Sequence, residues 1–258
     1  NYYTSESILI SADSNASSNL SEFSGLASLA GIGLPNAGGD PIEEMIAVIK
    51  SRKFMRHLIT FEGVTQKIMA PKSYDPLTKT LQYDESIYSS ESNEWNTERG
   101  IKPNYLEVHE KYLSQLLSIS QNTQNGHLNI KIEHISPIFA KELLELIIRE
   151  ANFVKRQRDL DISIKAVEFL EKELKNTQIS SIKESINDLL KIQLESQMMS
   201  KINEEYSLVV IEPPFVPDKR SKPARSLIVI LSSFFSVMAS LVYVLITHYF
   251  PRREKYVT

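Results

Sequence analysis

The sequence predicts an α+β protein with a membrane-proximal α/β base domain, a long projecting α-helix of coiled-coil-like periodicity and a C-terminal transmembrane helix. Three observations lead to this prediction. The first half of the chain carries strand patterns with helical patterns between them. No glycine or proline interrupts the stretch from Ile138 to Glu212. No Asp, Glu, Lys or Arg occurs among the 26 residues from Ser226 to Pro251.

The composition excludes several classes of protein. The 258 residues include no cysteine, which excludes disulfides and cysteine-ligated metals. With 29 Lys and Arg against 32 Asp and Glu, the formal charge is −3, so the chain lacks the basic bias that is typical of nucleic-acid binding. We therefore expect no nucleic-acid partner, whereas the apolar C-terminal segment makes membrane lipid an expected partner.

The first predicted elements are a strand and a helix separated by a loop. The β-branched run Ser7–Ala12 predicts the strand. Glycine and proline recur in residues 15–39, which predicts a surface loop with one apolar turn at Leu26–Ala30. Asp40 as N-cap, followed by proline at the first helical position, begins the helix. Its apolar residues lie at helical spacing on one face: Ile42, Met45, Ile46 and Ile49.

Four further segments precede the long helix. Lys53–Phe61 predicts a second helix, and Ala70–Pro103 is rich in polar and breaker residues, which indicates an irregular or only partly helical segment. Tyr105–Leu117 predicts another helix, and His127–His134 alternates apolar and polar residues as a strand does. The faces predicted to be buried are Leu106, His109, Leu113 and Leu116 on the helix, and Leu128, Ile130 and Ile132 on the strand.

The longest helical segment begins with Ser136 as N-cap and Pro137 at the first position. As a single helix to Lys175 it would be about 58 Å long, which is too long for a compact domain. The chain either folds back as a hairpin between Asn176 and Ser181 or continues as a kinked rod, and the sequence favours neither. The predicted apolar stripe consists of Ala140, Leu143, Ile147, Ala151, Val154, Leu160, Ile164, Val167 and Leu174.

A predicted closing strand, Tyr206–Ile211, leads into a proline-rich segment. Proline cannot continue a helix and favours an extended, polyproline-like chain. We consider two interpretations: a simple linker, or a stiff strap that fixes the angle and distance between the base domain and its membrane anchor. The proline-rich motif consists of Pro213, Pro214, Pro217 and Pro223.

The apolar segment Leu227–Phe250 would form a helix of roughly 36 Å, enough to cross a hydrocarbon core of about 30 Å. The alternative is a buried core helix. Basic residues flank both ends almost equally, so the positive-inside rule does not orient the segment. Three serines spaced four residues apart form a small-residue face on which another membrane helix could pack: Ser232, Ser236 and Ser240.

The sequence contains no recognisable catalytic or cofactor-binding pattern. The five histidines include no pair spaced four residues apart and have no cysteine neighbour, so they form no metal-binding motif. The glycines of residues 25–39 are not followed by Gly-Lys-Ser/Thr, which argues against a phosphate-binding loop. We therefore expect no catalytic residue, no cofactor and no metal, and a protein that is not an enzyme.

Changes in composition and periodicity divide the chain into five parts. We expect the base domain at residues 1–135, the long helical extension at 136–205, the closing strand with the proline-rich segment at 206–225, the transmembrane helix at 226–250 and a tail at 251–258.

Several segments together carry a family resemblance. From Val167 to Ser236 the chain has a long helix, a threonine at the helical break, the EY and VVIEPP strand, spaced prolines and an apolar span. Earlier in the chain, YYTSESILIS, GLASLAGIG and DPIEEMIAVIKSRKFMRHLI fit a first strand, a loop and first helices. In these features the chain resembles the bacterial Wzz-type chain-length determinant proteins, the polysaccharide co-polymerases. The resemblance covers most of the chain and is weakest over Ile68–Pro103.

The resemblance implies a protein of the bacterial cell inner membrane with two membrane spans, both ends in the cytoplasm and the bulk of the chain in the periplasm. The family's first transmembrane helix is absent from this chain, so we expect an apolar span upstream of Asn1. Family members form closed, octamer-like rings and set the modal length of a polysaccharide that a separate polymerase makes. The implied partners are further copies of the chain, the O-antigen polymerase and the growing lipid-linked polysaccharide.

Only eight residues follow Phe250, which leaves no room for the tyrosine-kinase domain fused to some relatives. The lipopolysaccharide O-antigen class is therefore the closer resemblance. Two alternatives stay open: a capsule or exopolysaccharide co-polymerase that acts with a separate tyrosine kinase, and a coiled-coil envelope adaptor.

Overall fold

The computed structural model describes residues 1–12, 40–96, 102–122, 124–202, 205–222 and 225–249. The predicted loop at residues 15–39 with its apolar turn, the tail at 251–258 and Pro223 lie outside the described residues.

The described chain is α+β, as the sequence predicts. Its elements, in chain order, are β1 (Tyr3–Ser11), α1 (Pro41–Ile49), α2 (Arg52–Leu58), α3 (Val64–Met69), β2 (Pro71–Asp75), β3 (Thr80–Tyr83), β4 (Tyr88–Ser89), β5 (Glu94–Trp95), α4 (Tyr105–Lys111), β6 (Leu117–Asn122), β7 (His127–His134), α5 (Pro137–Asn176), α6 (Ser180–Ile202), β8 (Leu208–Glu212) and α7 (Arg225–Tyr249). A π-helical turn, Tyr112–Leu116, joins α4 to β6.

Four strands form an antiparallel sheet in the order β6-β7-β1-β8. Tyr3 pairs with His134 at one end of β1, and Ser11 pairs with Leu208 at the other. The remaining strands form two small hairpins, β2–β3 and β4–β5. The two predicted strands at Ser7–Ala12 and Tyr206–Ile211 are thus confirmed as β1 and β8, with boundaries shifted by a few residues.

One face of the sheet carries the hydrophobic core. Helices α1 to α4 and the first half of α5 cover this face, and β7 turns Leu128, Ile130 and Ile132 into it, as its alternation predicts. The predicted stripe of α1 is also buried at Ile42, Met45 and Ile49. The largest fully buried side chains of the described residues are Tyr112, Phe54, Leu9, Met45, Ile49, Met55, Leu58, Ile68, Leu128, Ile130, Ile132 and Leu143.

Side-chain caps fix where the helices begin. The Asp40 carboxylate accepts a hydrogen bond from the Ile42 amide at 2.9 Å, and the Ser136 hydroxyl accepts one from the Phe139 amide at 3.3 Å. Both residues are the predicted N-caps, each followed by a proline at the first helical position. The start of α1 and of α5 is therefore readable from sequence.

The region between α2 and α4 differs from the prediction. The helix expected at Lys53–Phe61 ends at Leu58, α3 is an additional short helix, and the segment expected to be irregular forms the two hairpins. Their turns place Lys79 and Asn93 at φ 56°, a conformation usually supplied by glycine. Because the sequence lacks the usual Asn-Gly or Asp-Gly signal there, periodicity alone does not reveal these hairpins.

The helix predicted at Tyr105–Leu117 is shorter than predicted, and its predicted buried face is only partly correct. It ends at Lys111, the π-helical turn follows, and Leu117 already belongs to β6. Leu116 is buried as predicted, and Val108 and Tyr112 are buried with it, whereas Leu106 and Leu113 are exposed. Both sets repeat at helical spacing, so the sequence supports two registers, and packing against the core selects the other one.

Helices α5 and α6 form an antiparallel hairpin that turns at residues 177–179, so the kinked rod is excluded. The predicted stripe is correct at Ala140, Leu143, Ile147 and Ala151, which are buried. Further along it is only partly correct. Val154 and Leu174 are half-buried against the apolar clusters, whereas Ile164 is exposed and the seam also contains Asp159, Ser163, Ala166 and Leu170. Ion pairs and hydrogen bonds satisfy the buried polar side chains of Lys155, Asp159 and Ser163 inside the seam.

A buried ion-pair network joins the hairpin to α1. The Lys155 ammonium lies 3.0 and 2.9 Å from the two oxygens of Asp159 and 2.9 Å from Glu44 on α1. Lys155 and Asp159 are both buried, while Arg158 approaches Glu44 at 2.9 Å from the exposed side. This network ties the first helix of the base domain to the root of the hairpin.

A second contact at the root of the hairpin involves Asn152. Its amide oxygen accepts hydrogen bonds from the backbone N–H groups of Ser207 at 3.0 Å and Leu208 at 2.8 Å, and its amide nitrogen donates to the Leu208 carbonyl at 2.9 Å. Asn152 is buried, so these bonds form away from water. They fix the point at which the chain returns from the hairpin to the sheet.

We predict that Lys155→Met destabilises the full chain by about 3–5 kcal/mol, because it leaves the Asp159 carboxylate buried without its cation. Chemical denaturation of the detergent-solubilised protein measures the change. Replacing both partners, Lys155→Met with Asp159→Leu, is expected to recover most of the loss. The matched control is Lys141→Met, which removes a more exposed pair with Glu145 at 3.1 Å. A Lys155→Met effect no larger than that of the control would contradict the prediction.

His134 is buried at the end of β7 and is neutral at physiological pH. Its pKa is lowered to about 4, first by burial and then by the neighbouring charges of Lys111 and Lys67, while the hydrogen bond to the Lys67 carbonyl opposes the shift. The Ser136 amide donates to Nδ1 at 3.0 Å, so the proton resides on Nε2, which donates to the Lys67 carbonyl at 2.9 Å. Protonation of Nδ1 would break the bond that precedes the α5 cap.

This shift predicts acid sensitivity. Because the folded pKa lies below the ordinary value of 6.5, the unfolded chain binds the proton first, and stability falls as pH decreases from about 6.5 towards 4. The loss attributable to His134 is roughly 3 kcal/mol over that window. Thermal unfolding at several pH values measures it. His134→Gln is expected to flatten this dependence, whereas His127→Gln, at the other end of β7, leaves it; an equal slope for His134→Gln would refute the assignment.

Candidate functional site: the proline strap and the apolar helix

The segment that follows β8 lies along the first half of β1. We call residues 213–222 the proline strap. The Ser7 hydroxyl donates to the Glu212 carbonyl at 2.6 Å, and the Ser5 hydroxyl donates to the Phe215 carbonyl at 2.7 Å. At the far end, Tyr2 and Lys222 form an isolated antiparallel bridge. The strap therefore runs antiparallel to β1 back to its N-terminus.

The hydroxyls of Ser5 and Ser7 replace the backbone hydrogen bonds that a regular pair of strands would form. Proline has no backbone N–H, so this segment cannot continue the regular pairing of β8 with β1. Ser5 and Ser7 lie on the buried face of β1 and are completely buried. Ser5 donates to the Phe215 carbonyl of the strap and Ser7 to the Glu212 carbonyl at the end of β8. Sequence analysis missed these two residues. The available signal was the alternation of Tyr3, Ser5, Ser7 and Leu9, which places two serines at core-facing positions.

The predicted proline motif is only partly embedded. Pro214 and Pro217 are buried, whereas Pro213 is exposed, as are Phe215 and Val216 between them. The structure thus brings three of the four predicted prolines to one side of β1. Their role in holding geometry stays a prediction.

A charge contact joins the strap to the sheet. Lys222 lies 2.8 Å from Glu133 of β7, and its backbone carbonyl accepts from the Tyr2 amide at 3.1 Å. Ser221 also donates to the Tyr2 carbonyl through its amide at 2.8 Å and its hydroxyl at 3.0 Å. These contacts fasten the strap at the end of the sheet that lies next to the apolar helix.

Helix α7 has the length and composition of a membrane span. Its window Val229–Ile246 has a mean hydropathy of 2.3, and none of this window is buried against the rest of the chain. The alternative of a buried core helix is therefore excluded. The helix follows the strap after two residues of the chain.

The predicted packing face of α7 consists of small, internally satisfied side chains. The hydroxyls of Ser232, Ser236 and Ser240 each donate to the carbonyl three residues earlier, at 2.9–3.0 Å. All three serines are exposed. Because these hydroxyls already donate within the helix, a second helix would gain close van der Waals packing on this face and few new hydrogen bonds. Packing of another membrane helix there stays a prediction.

The site offers mechanical fastening and carries no cluster suited to metal chemistry. In the part of the chain that the structure describes, no group of three or more His, Cys, Asp or Glu side chains is placed to hold a metal ion. The strap residues contribute backbone carbonyls, prolines and one paired lysine. What this arrangement can do is fix the position of the anchor relative to the sheet.

Comparison with known proteins gives limited information. No protein-family profile and no curated protein matches the chain. Among solved structures, the chain is similar to a fragment of WzzB, a polysaccharide co-polymerase from Salmonella Typhimurium, with 14% identity and coverage of 86% of this chain and 100% of the fragment. The TM-score of 0.31 is too low to establish a common fold.

We predict that replacing Ser5 and Ser7 together by alanine loosens the strap, because the Glu212 and Phe215 carbonyls lose their hydrogen-bond donors, at a cost of about 2 kcal/mol. Trypsin cleavage of the full chain in detergent at the exposed Lys219 and Arg220 measures the loosening. The matched control is Ser118→Ala on the exposed face of β6. Unchanged cleavage in the double variant would show that the hydroxyls do not hold the strap.

Proposed function

We propose that this chain is a non-enzymatic regulator of polysaccharide chain length, of the lipopolysaccharide O-antigen class. In this proposal it is anchored in the bacterial inner membrane, with the bulk of the chain in the periplasm and the C-terminus in the cytoplasm. Several copies form a closed ring, and the ring sets the modal length of the glycan that a separate polymerase makes.

The observation that carries the proposal is the fastening of the proline strap to β1. A free linker would leave the base domain at a variable angle and distance from the membrane. The Ser5 and Ser7 hydroxyls, the Tyr2–Lys222 bridge and the buried Pro214 and Pro217 instead hold the entry to the apolar helix. A protein that regulates by holding its base domain at a set distance from the membrane needs a fixed connection between that domain and its membrane helix.

The order of the elements supports the same proposal. A sheet is interrupted by a long helical hairpin, is closed by a strand, and continues into a proline segment and an apolar helix. These are the features that carry the sequence resemblance to the chain-length determinants. The hairpin projects from the base domain, and Lys155 and Asn152 hold its root to that domain. A protein that acts by holding a binding surface at a fixed distance from the membrane would have such a projection.

We infer three kinds of partner from this role: further copies of the chain, the O-antigen polymerase and the growing lipid-linked polysaccharide. Contact with the polymerase or the glycan would limit extension without any chemical step by this chain. A ring of copies would repeat the contact surface around the membrane normal.

We predict that Pro214→Ala with Pro217→Ala shifts the modal length of the glycan without abolishing polymerisation. Alanine restores a backbone N–H and frees φ, so the strap loses its imposed extended conformation. The polysaccharide ladder of a strain that carries the double variant, compared on a gel with the parent strain and a deletion strain, measures the shift.

The matched control is Pro213→Ala, because Pro213 belongs to the same segment but is exposed. It is expected to leave the ladder unchanged. A membrane-inserted, folded double variant with the parental ladder would contradict a role for strap geometry. A deletion strain with an unchanged ladder would refute the proposed function itself.

A coiled-coil envelope adaptor is the second candidate, and one observation favours it. The hairpin exposes large apolar side chains at Ile162, Ile164, Phe169, Ile182, Leu194 and Met198. An adaptor would bury such residues against another envelope component. Loss of a transport or capsule phenotype with an unaltered polysaccharide ladder in the deletion strain would favour the adaptor.

A further inference from the structure

The C-terminal end of the proline strap carries an exposed basic patch. We call Lys219, Arg220 and Lys222 the strap cations. All three residues are exposed, and so is Asp218, which is the one carboxylate of residues 218–222. Three positive charges against one negative charge leave this stretch with a net charge of +2.

Two of the strap cations have no carboxylate partner. Lys222 lies 2.8 Å from Glu133, although its side chain is still 64% exposed. Lys219 and Arg220 form no ion pair with any residue that the structure describes, Asp218 included. Their charges are therefore available to an anion from outside the chain.

The backbone next to these side chains is held in place. The Ser221 amide donates to the Tyr2 carbonyl at 2.8 Å, and the Tyr2 amide donates to the Lys222 carbonyl at 3.1 Å. These two bonds close the bridge between the strap and the residue that precedes β1. A backbone that is already ordered lowers the entropic cost of binding a ligand at this position.

The length of the chain places this patch close to the membrane surface. Lys222 is five residues before Leu227, the first residue of the apolar segment, and five extended residues span at most about 18 Å. The polar interface of a bilayer is about 5–7 Å thick on each side, and its electrostatic attraction extends about 8–10 Å further. Lys222 therefore lies within electrostatic reach of lipid head groups, and Lys219 and Arg220 lie within three residues of it.

An aromatic side chain accompanies the patch. Tyr2, which forms the bridge with Lys222, is 45% exposed. Tyrosine is enriched at the boundary between membrane and water, where its ring meets the lipid and its hydroxyl meets the solvent. An exposed tyrosine beside unpaired cations is the combination expected at a lipid surface.

The orientation of the span does not explain these cations. The positive-inside rule places the excess of Lys and Arg on the cytoplasmic side of a membrane span. In the orientation proposed above the strap faces the periplasm, yet residues 219–225 contain four Lys and Arg against three in residues 251–258. The rule predicts fewer cations than the strap carries, which favours a binding role for them.

We propose that the strap cations bind the phosphate groups of lipids at the membrane surface. Arg220 supplies a planar guanidinium that can bind two phosphate oxygens at once, and the two lysines supply point charges. Two kinds of lipid carry this chemistry: an anionic phospholipid, and the phosphate-linked lipid on which a glycan grows. The second source rests on the proposed function, whereas the first does not.

The lipid retained by the purified full chain tests this site. The chain in neutral detergent is mixed with phosphatidylglycerol and phosphatidylcholine of the same acyl chains, and native mass spectrometry counts the bound lipid molecules. We expect the parent chain to retain phosphatidylglycerol over phosphatidylcholine. Lys219→Gln with Arg220→Gln is expected to reduce the retained phosphatidylglycerol about tenfold and to leave phosphatidylcholine unchanged.

The matched control is Lys172→Gln with Lys183→Gln, which removes the same charge from exposed positions of the hairpin. It is expected to retain phosphatidylglycerol as the parent does. Lys219→Arg with Arg220→Lys keeps both charges and is expected to restore retention, which excludes misfolding as the cause of the loss. Parental retention after Lys219→Gln with Arg220→Gln would overturn the proposal, as would an equal loss in the control.

A competition distinguishes the two lipid sources. A polyprenyl diphosphate without sugars is added at the same concentration as phosphatidylglycerol. Displacement of phosphatidylglycerol assigns the site to the lipid that carries the glycan, and its persistence assigns the site to phospholipid head groups; both results support a phosphate site. A parent chain that retains neither lipid would refute it.

Two further results separate this inference from the proposed function. If deletion of the protein alters the polysaccharide ladder but Lys219→Gln with Arg220→Gln leaves lipid retention unchanged, the lipid site is wrong while length regulation stands. If lipid retention falls as expected but deletion leaves the polysaccharide ladder unchanged, the lipid site stands and the proposed function falls.

Discussion

The return of the chain from the hairpin to the sheet depends on the buried amide of Asn152. Its oxygen and nitrogen together satisfy three backbone groups of Ser207 and Leu208. These groups lie where the chain leaves a long excursion and begins the last strand. Buried backbone groups without partners would be costly there, so the amide both satisfies them and sets the register of β8. Everything C-terminal to that point, including the strap and the apolar helix, takes its position from this register.

Rigidity is distributed unevenly along the hairpin. At its root, Asn152 and the ion pair of Lys155 with Asp159 are buried and fully partnered. Further out, the apolar cluster is small, consisting of Ala166, Leu170, Ile186 and Leu189. Between them, the buried amide of Gln193 has no hydrogen-bond partner among the described residues, which weakens the seam. The direction of the hairpin is therefore set at its base, and its distal half is held less strongly.

The sequence predicts correctly those elements whose start or buried face depends on a few neighbouring residues. The caps at Asp40 and Ser136 and the alternation of β7 were readable, because each depends on a few neighbouring residues. The register of α4 was not readable, since two apolar stripes are present and only contact with the core chooses between them. The buried serines of β1 and the polar seam of the hairpin were not readable either. A polar residue is predicted to be exposed unless its partner is known, and the partners of Ser163, Ser7 and Ser5 lie 30, 205 and 210 positions away in the chain.

The proline strap also determines how copies of the chain can meet. It occupies the outer side of the first half of β1, where an unpaired strand would otherwise offer its backbone to another chain. Its prolines lack N–H groups, and its Phe215 carbonyl accepts from Ser5, so the strap is a poor template for strand addition. Association by extending the sheet is therefore disfavoured at this edge. Contact between copies is left to side chains on helices and turns, and such contacts can fix a discrete angle between neighbours, as a closed ring requires.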